Sequence, residues 1–261
     1  MTLRVEHIYG HATVQGAPVS GRRRFGVPPG GAFDPGLQAR LNAGVGNPAD
    51  TPVLELALCQ LTLRALGNVA LAWSGNSNVL IDGIAMLPEV TYQAVSSDSI
   101  ITFDVPRFGA RTWVAACGGF GLAAGMLKRG DVLTVNPGKL PLEVYIEPVD
   151  GLGRPSGLLH AMPGRSEFQQ LFKNRYTVRH DSDRVGIRLE GPRMAHILEL
   201  PSEPATPGVV QITPEGFPII LGPDGPTIGG YPRAAVVISG DLPALAQLRP
   251  GDEIQFERVG T

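Results

Sequence analysis

The chain has 261 residues, with 22 lysines and arginines against 24 aspartates and glutamates, and 43% of it is hydrophobic. This near-neutral balance excludes the basic field that steers nucleic acid, and the apolar share suffices for one large domain or two modest ones. The 34 glycines and 24 prolines are spread along the chain, which favours many short strands over long helices, and no apolar run nears the roughly 20 residues that span a bilayer.

The N-terminus lacks a basic region followed by an apolar core, so no signal peptide is expected. Cys59 and Cys117 lie in apolar stretches and read as reduced, buried thiols of a cytoplasmic protein. Residues 1–27 alternate weakly (Leu3, Val5, Ile8) and end in Arg22, Arg23 and Arg24. Val27 to Gly31 must be a loop, because two prolines and two glycines suit neither helix nor central strand. Asp34 reads as a helix cap with Pro35 at the first helical position, Leu37 and Leu41 facing the core, and Gly44 as the stop. Residues 53–58, 61–66 and 69–74 read as three successive strands, and 90–95 and 99–105 as two more.

Residues 137–141 (PGKLP) have the composition of a linker, which places two domains at 1–137 and 138–261. In the second, 142–147 opens the domain and 151–157 reads as a loop. Ser166 is expected to cap a short helix through Phe172. Residues 176–179 and 185–190 are expected strands, and 208–213 with 217–221 a hairpin around Pro214-Glu215-Gly216. Strands outnumber helices, so two β-barrel-like units with short helices are the natural packing solution.

One stretch occurs twice. Residues 113–135 align without a gap on 234–256: Gly119 falls on Gly240, Leu127 on Leu248, Gly130 on Gly251 and Asp131 on Asp252. Leu-x-x-Gly-Asp is a common turn signal, but coincidence over the whole run points to duplication of one closing element.

The chemistry is narrowed by elimination. No P-loop pattern occurs, and Gly119-Phe120-Gly121 is followed by too short a helix, ended at Gly130-Asp131, for a dinucleotide crossover. His7 and His11 are four apart, but Gly10 and the alternating pattern argue against a helix presenting both; His160, His180 and His196 have no partner at metal-ligand spacing, and no Gly-x-Ser-x-Gly elbow or biotinyl acceptor is present. What remains are polar groups in glycine-rich loops: Arg22, Gly30, Gly31 and Asp34; Asp183, Arg184 and Arg188; and Glu203, Gln211, Asp224, Thr227, Gly229, Gly230 and Tyr231. Glycines can bring backbone N–H groups close to a small carboxylate or amide, and arginine can clamp it. The plainer alternative is that Asp34 only caps, Arg184 and Arg188 are solvated, and Gly229-Gly230 is only a bend.

Several of these loops carry a resemblance. The stretches GVPPGGAFD (26–34), NAGVGNPADTPVLEL (42–56), SDRVGIRLEGP (182–192), GVVQITPEGFPIIL (208–221) and GGYPRAAVVISGDLPALAQLRPGDEIQF (229–256) resemble the family of the 5-oxoprolinase C component (PxpC, or KipA), also known as allophanate hydrolase subunit 2 or biotin-dependent carboxyltransferase. The resemblance implies two tandem cyclophilin-like β-barrel domains. It also implies two partner proteins, a KipI-like B component (PxpB) and an A component (PxpA), with which 5-oxoproline is opened to glutamate at the expense of ATP. It allows a homo-oligomer. Related domains move a carboxyl group from carboxybiotin to urea, which gives an alternative function with biotin as cofactor, and a non-catalytic binding homologue is a third. Two departures stand out. A glycine-rich segment that the family carries before its first closing turn is missing after Cys117-Gly118-Gly119. Gly225 and Pro226 occupy positions where the family has arginine and glutamine, while Asp224 and Thr227 are retained.

Overall fold

A computed structural model describes residues 1–86, 92–121, 125–139, 157–194 and 201–260. In chain order its strands are β1 (Thr2–Gln15), β2 (Val53–Ala65), β3 (Val69–Ser74), β4 (Val79–Ile81), β5 (Ile84–Ala85), β6 (Gln93–Val95), β7 (Ile100–Phe103), β8 (Arg111–Ala116) and β9 (Val132–Thr134). They continue as β10 (Leu158–Pro163), β11 (Arg175–Val178), β12 (Gly186–Glu190), β13 (Glu203–Pro204), β14 (Val209–Ile212), β15 (Pro218–Leu221), β16 (Ile228–Gly229), β17 (Arg233–Val237) and β18 (Glu253–Arg258). The α-helices are α1 (Pro35–Gly44) and α2 (Leu242–Ala246), with 3-10 turns at Arg23–Phe25, Ser166–Lys173 and Ser239–Asp241. The fold is mainly β, as expected. The stretch 142–147 expected to open the second domain, residues 151–156 of the expected loop, and His196 lie outside the described residues.

Two compact units divide the chain: Met1–Ala17 with Asp34–Arg154, and Pro18–Phe33 with Pro155–Thr261. In the first, nine strands form one sheet in the order β5-β4-β7-β2-β8-β3-β6, with β1 on β2 and β9 on β1. The stretch 53–66 reads as two strands in the sequence but forms the single strand β2. Leu58, at φ +44°, bends it. Inward positions accordingly switch from Leu54 and Leu56 to Cys59, Leu61 and Leu63, the parity change that one extra residue in a strand produces. Strand β1 compensates with two register shifts, between Val5 and His7 and between Tyr9 and His11. The bent pair then pairs with β8 through its first half and β7 through its second.

The core of this unit includes Leu3, Val5, Leu71, Val114 and the edge-to-face pair Trp73–Phe103, with ring centroids 6.2 Å apart. Burial pushes the Cys59 thiol up to about 12, and the Cys117 thiol is raised for the same reason. Neither thiol is expected to react with a thiol reagent near neutral pH until the chain unfolds, because the thiolate is the nucleophile. The unfolded Cys59 ionises near 8.5, so between about pH 9 and 12 the folded state alone holds its proton. Stability is therefore expected to fall by about 1.4 kcal/mol per pH unit in that window. Urea melts at rising pH check this.

Asp34 caps α1 as expected, its Oδ1 accepting the Leu37 N–H at 2.9 Å, and Leu37 and Leu41 are buried. The helix stop differs: Gly44 is its last residue, and the left-handed residue that ends it is Gly46, at φ +74°.

In the second unit β10, β17, β14, β15, β12, β11 and β18 close into a barrel, completed by parallel pairing of β10 with β18. The hairpin β14–β15 lies where the sequence placed it. The helix expected from a Ser166 cap is instead a 3-10 segment preceded by Arg165, because the Ser166 hydroxyl hydrogen-bonds Glu167 rather than the backbone. Asp241 Oδ2 accepts the His160 N–H at 2.6 Å and lies 2.9 Å from His160 Nδ1, which ties the last 3-10 turn to β10.

The repeat is visible bond by bond. Strands β9-β1-β2-β7-β4 of one unit and β18-β11-β12-β15-β14 of the other follow the same order. In the closing turns Asp131 Oδ2 accepts the Lys128 N–H, and Asp252 Oδ2 the Arg249 N–H, both at 2.8 Å. Gly130 donates to the Val5 carbonyl and Gly251 to that of Val178, again both at 2.8 Å. Both glycines have φ near +90° (92° and 88°), where a side chain would be strained. Replacing Asp252 by alanine should remove one such side-chain bond and lower stability by about 1 kcal/mol, a Tm drop of about 2–4 °C by scanning calorimetry. An unchanged Tm would show that the turn does not need its acid.

Candidate functional site

The fourteen site candidates fall into separate places, and Asp183 only closes its own turn, accepting the Val185 and Gly186 N–H groups. The first is built in the second unit by the turn before β12. The Arg184 guanidinium grips the Asp224 carboxylate with two nitrogens, Nε–Oδ2 at 2.7 Å and Nη2–Oδ1 at 3.0 Å. Nη2 also donates to the Gly31 carbonyl at 2.6 Å, and the Gly30 N–H donates to the Pro223 carbonyl at 3.0 Å. Arg184 lies over the Phe33 ring, 6.0 Å from its centroid, and the Asp224 N–H bonds back to the Arg184 carbonyl. Bidentate, aromatic-stacked arginine is held more tightly than a single surface pair. Arg184, Asp224, Gly30 and Gly31 therefore form one strut between the loop 222–225 and the segment 18–33. Arg22 is exposed; its neighbour Arg23 is the residue that bonds the Ala205 carbonyl.

The second place is a groove of about 480 Å³ beside the β13–β16 ribbon. Glu203 stands at its edge between two arginines, 3.0 Å from Arg233 Nη2 and 3.7 Å from Arg165 Nη2. Glu203 pairs in register with Gly229, and Gln211 with Arg233. A side chain at Gly229 would lie 2.9 Å from the Gln211 amide nitrogen, so glycine is what lets the ribbon approach this buried amide. Gln211 Nε2 donates to the Tyr231 carbonyl at 3.4 Å, and the buried Thr227 accepts the Ala205 N–H through its own carbonyl. Gly230 is half-buried beside it, and Tyr231 is exposed. A carboxylate and two guanidiniums beside the apolar Met162 and Val236 can hold a small planar amide or acid.

Two candidates stand apart. Asp34 belongs to the first unit, where its carboxylate caps α1. Arg188 lines a different cleft, with Arg179 and Glu215. Arg165 and Arg233 were missed by sequence reasoning, since each resembles an ordinary solvated arginine of a loop or strand.

The first unit holds two buried polar clusters that sequence reasoning also missed. Glu55, 2% exposed, accepts Arg111 Nε at 3.1 Å and the Trp113 indole N–H at 3.0 Å. Asn42, fully buried, donates to the carbonyls of Ala49 and Thr51, while Asn47 bonds Asn42 Oδ1 and the Ala116 carbonyl and accepts the Gly118 N–H. This amide network explains the NAGVGNPADT stretch: its asparagines satisfy backbone groups that a buried loop would otherwise leave unpaired.

The nine-stranded sheet of the first unit and the closed barrel of the second define a carboxyltransferase-type fold, and residues 25–258 match the carboxyltransferase domain family, subdomains A and B. The chain belongs to this family. It is 31% identical to the C component of 5-oxoprolinase from Haemophilus influenzae, over 97% of this chain and 89% of that protein, and 30% identical to that from Escherichia coli, over 94% and 87%. Urea amidolyase of Saccharomyces cerevisiae is 25% identical over 94% of this chain but 16% of its own length. Among solved structures TTHA0988 matches with a TM-score of 0.89 at 29% identity over 98% of this chain; the chain spans 55% of that one. The Kluyveromyces lactis urea amidolyase matches at a TM-score of 0.84 and 24% identity, a likeness of fold.

Proposed function

We infer that this chain is the C component of an ATP-dependent 5-oxoprolinase, which opens 5-oxoproline to glutamate together with a KipI-like B component and an A component. The observation that carries this reading is coverage: similarity to the 5-oxoprolinase C component extends over 89% of the Haemophilus influenzae protein, whereas similarity to urea amidolyase covers 16% of the yeast one. The Glu203 groove supports it chemically. 5-Oxoproline carries a ring amide and a carboxylate, and Arg165, Arg233 and Glu203 offer donors and an acceptor for both. ATP would be handled by the complex, since this sequence has no phosphate-cradling loop of its own. Among the described residues no helix is long and apolar enough to cross a membrane.

The test is reconstitution with the A and B components and measurement of glutamate released from 5-oxoproline and ATP. Release that depends on this chain, and that drops about 10²-fold on Arg233→Ala, supports the reading. Release that is the same without the chain refutes it. The carboxyltransferase family match, with the likeness to urea amidolyase, motivates a second reading, a biotin-dependent carboxyltransferase half acting on urea. Urea-stimulated decarboxylation of free carboxybiotin by this chain would favour it. Saturable binding of 5-oxoproline with neither activity would instead mark a non-catalytic homologue.

A further inference from the structure

The cleft that holds Arg188 has a charge arrangement that the proposed function leaves unused. It encloses about 230 Å³ between the β11–β12 and β14–β15 hairpins, with Phe217 and Ile219 on its apolar side. Arg179 is committed: its guanidinium grips Asp181 at 2.9 and 3.0 Å. Arg188 approaches the same carboxylate only at 3.8 Å. Across the cleft, the Thr213 hydroxyl bonds the Glu215 carboxylate and, with Arg179 and Arg188 nearby, holds it below the usual carboxylate range. The Thr213 hydroxyl oxygen in turn accepts the Phe217 N–H at 3.4 Å, so Glu215 is oriented by a residue that is itself fixed to the turn. Among the described residues no ion pair within 4.0 Å joins Arg188 to Glu215, although both line the cleft. Arg193 stacks on the Phe217 ring at 5.2 Å, which fixes the position of the ring.

An exposed cation and an exposed anion that line one small cavity without a direct ion pair between them match a ligand carrying both charges. We propose that this cleft binds a free α-amino acid, its carboxylate on Arg188, its ammonium on Glu215 and its side chain against Phe217 and Ile219. The site does not depend on the 5-oxoprolinase reading. If that reading holds, the glutamate produced is one such ligand, whereas 5-oxoproline, whose nitrogen is an amide, cannot supply the ammonium.

The test is calorimetric titration of the full chain with L-glutamate, L-alanine and 5-oxoproline up to about 10 mM. The expected result is saturable binding of an amino acid, weakened at least about tenfold by Arg188→Gln and by Glu215→Gln, each with an unchanged Tm. Thr213→Val should weaken binding less, because it disorients Glu215 without removing it. An absence of saturable amino-acid binding, binding indifferent to both charge variants, or a preference for 5-oxoproline that Glu215→Gln abolishes would each overturn the proposal. Failure here leaves glutamate release by the reconstituted complex untouched, so the two readings fail separately.

Discussion

Glu55→Ala is expected to destabilise the protein by about 3–5 kcal/mol, enough to unfold much of a marginally stable chain at 37 °C. Glu55 is 2% exposed and Arg111 5% exposed, so removing the carboxylate leaves a guanidinium and the Trp113 indole N–H buried without the acceptor they share. The penalty is chiefly the burial of a cation that has lost its carboxylate rather than the loss of attraction. This separates the expectation from an ordinary surface pair, such as Arg175–Glu253 with side chains 72% and 66% exposed, whose loss should change stability by less than about 1 kcal/mol. A double variant, Glu55→Met with Arg111→Leu, removes both charges, and it should be less damaging than Glu55→Ala alone. Urea denaturation with linear extrapolation measures all three. If Glu55→Ala costs under about 1 kcal/mol, or the double variant is worse than the single, the buried charge is not what Glu55 serves.

Glu55 also shows what the sequence could and could not reveal. In Val53-Leu54-Glu55-Leu56, alternation assigns Glu55 to a polar, solvent-facing side, yet the whole run is buried. Period-two reading identifies the two faces of a strand but cannot tell that both are covered. The same limit hid the bend at Leu58: a bulge shifts the alternation by one residue, which in sequence looks like the end of one strand and the start of another. Features set by local chemistry were legible. The Asp34 cap, the turn of the β14–β15 hairpin and the aspartate bonds of the paired Gly-Asp turns each close within about four residues, so residue type and spacing specify them. The groove was half legible. Glu203, Gln211 and Gly229 stood out as polar or flexible residues in unusual loops, but Arg165 and Arg233 reach Glu203 from 38 and 30 positions away, a proximity that only the closed barrel creates. The segment 18–33 contains the loop expected at 27–31, while its arginine cluster forms a 3-10 turn. Its membership in the second unit was not legible, because the bonds that hold it run to Arg184, Ala205 and Pro223.

That long-range fastening leads to the second large expectation. Arg184→Ala should free the segment 18–33 and lower glutamate release by the reconstituted complex by about 10²-fold, at a stability loss of about 2–3 kcal/mol. One side chain makes the two bonds to Asp224 and the bond to the Gly31 carbonyl, and it lies over Phe33. Its removal therefore unpins the loop 222–225 and the Gly30-Gly31 turn together. Arg184→Lys keeps the charge but cannot form the fork, so it should recover less than half of the lost activity. The segment carries its own reporter. Arg22, Arg23 and Arg24 are tryptic sites, and Arg23 is held at the Ala205 carbonyl. Trypsin should cut there faster in Arg184→Ala than in the wild type, while cleavage elsewhere keeps its rate, as mass spectrometry of timed digests would show. A merely destabilised protein would be cut faster throughout. Unchanged cleavage at 22–24 together with full activity would mean that the segment is held by its other contacts, and that Arg184 and Asp224 are no more than a surface pair.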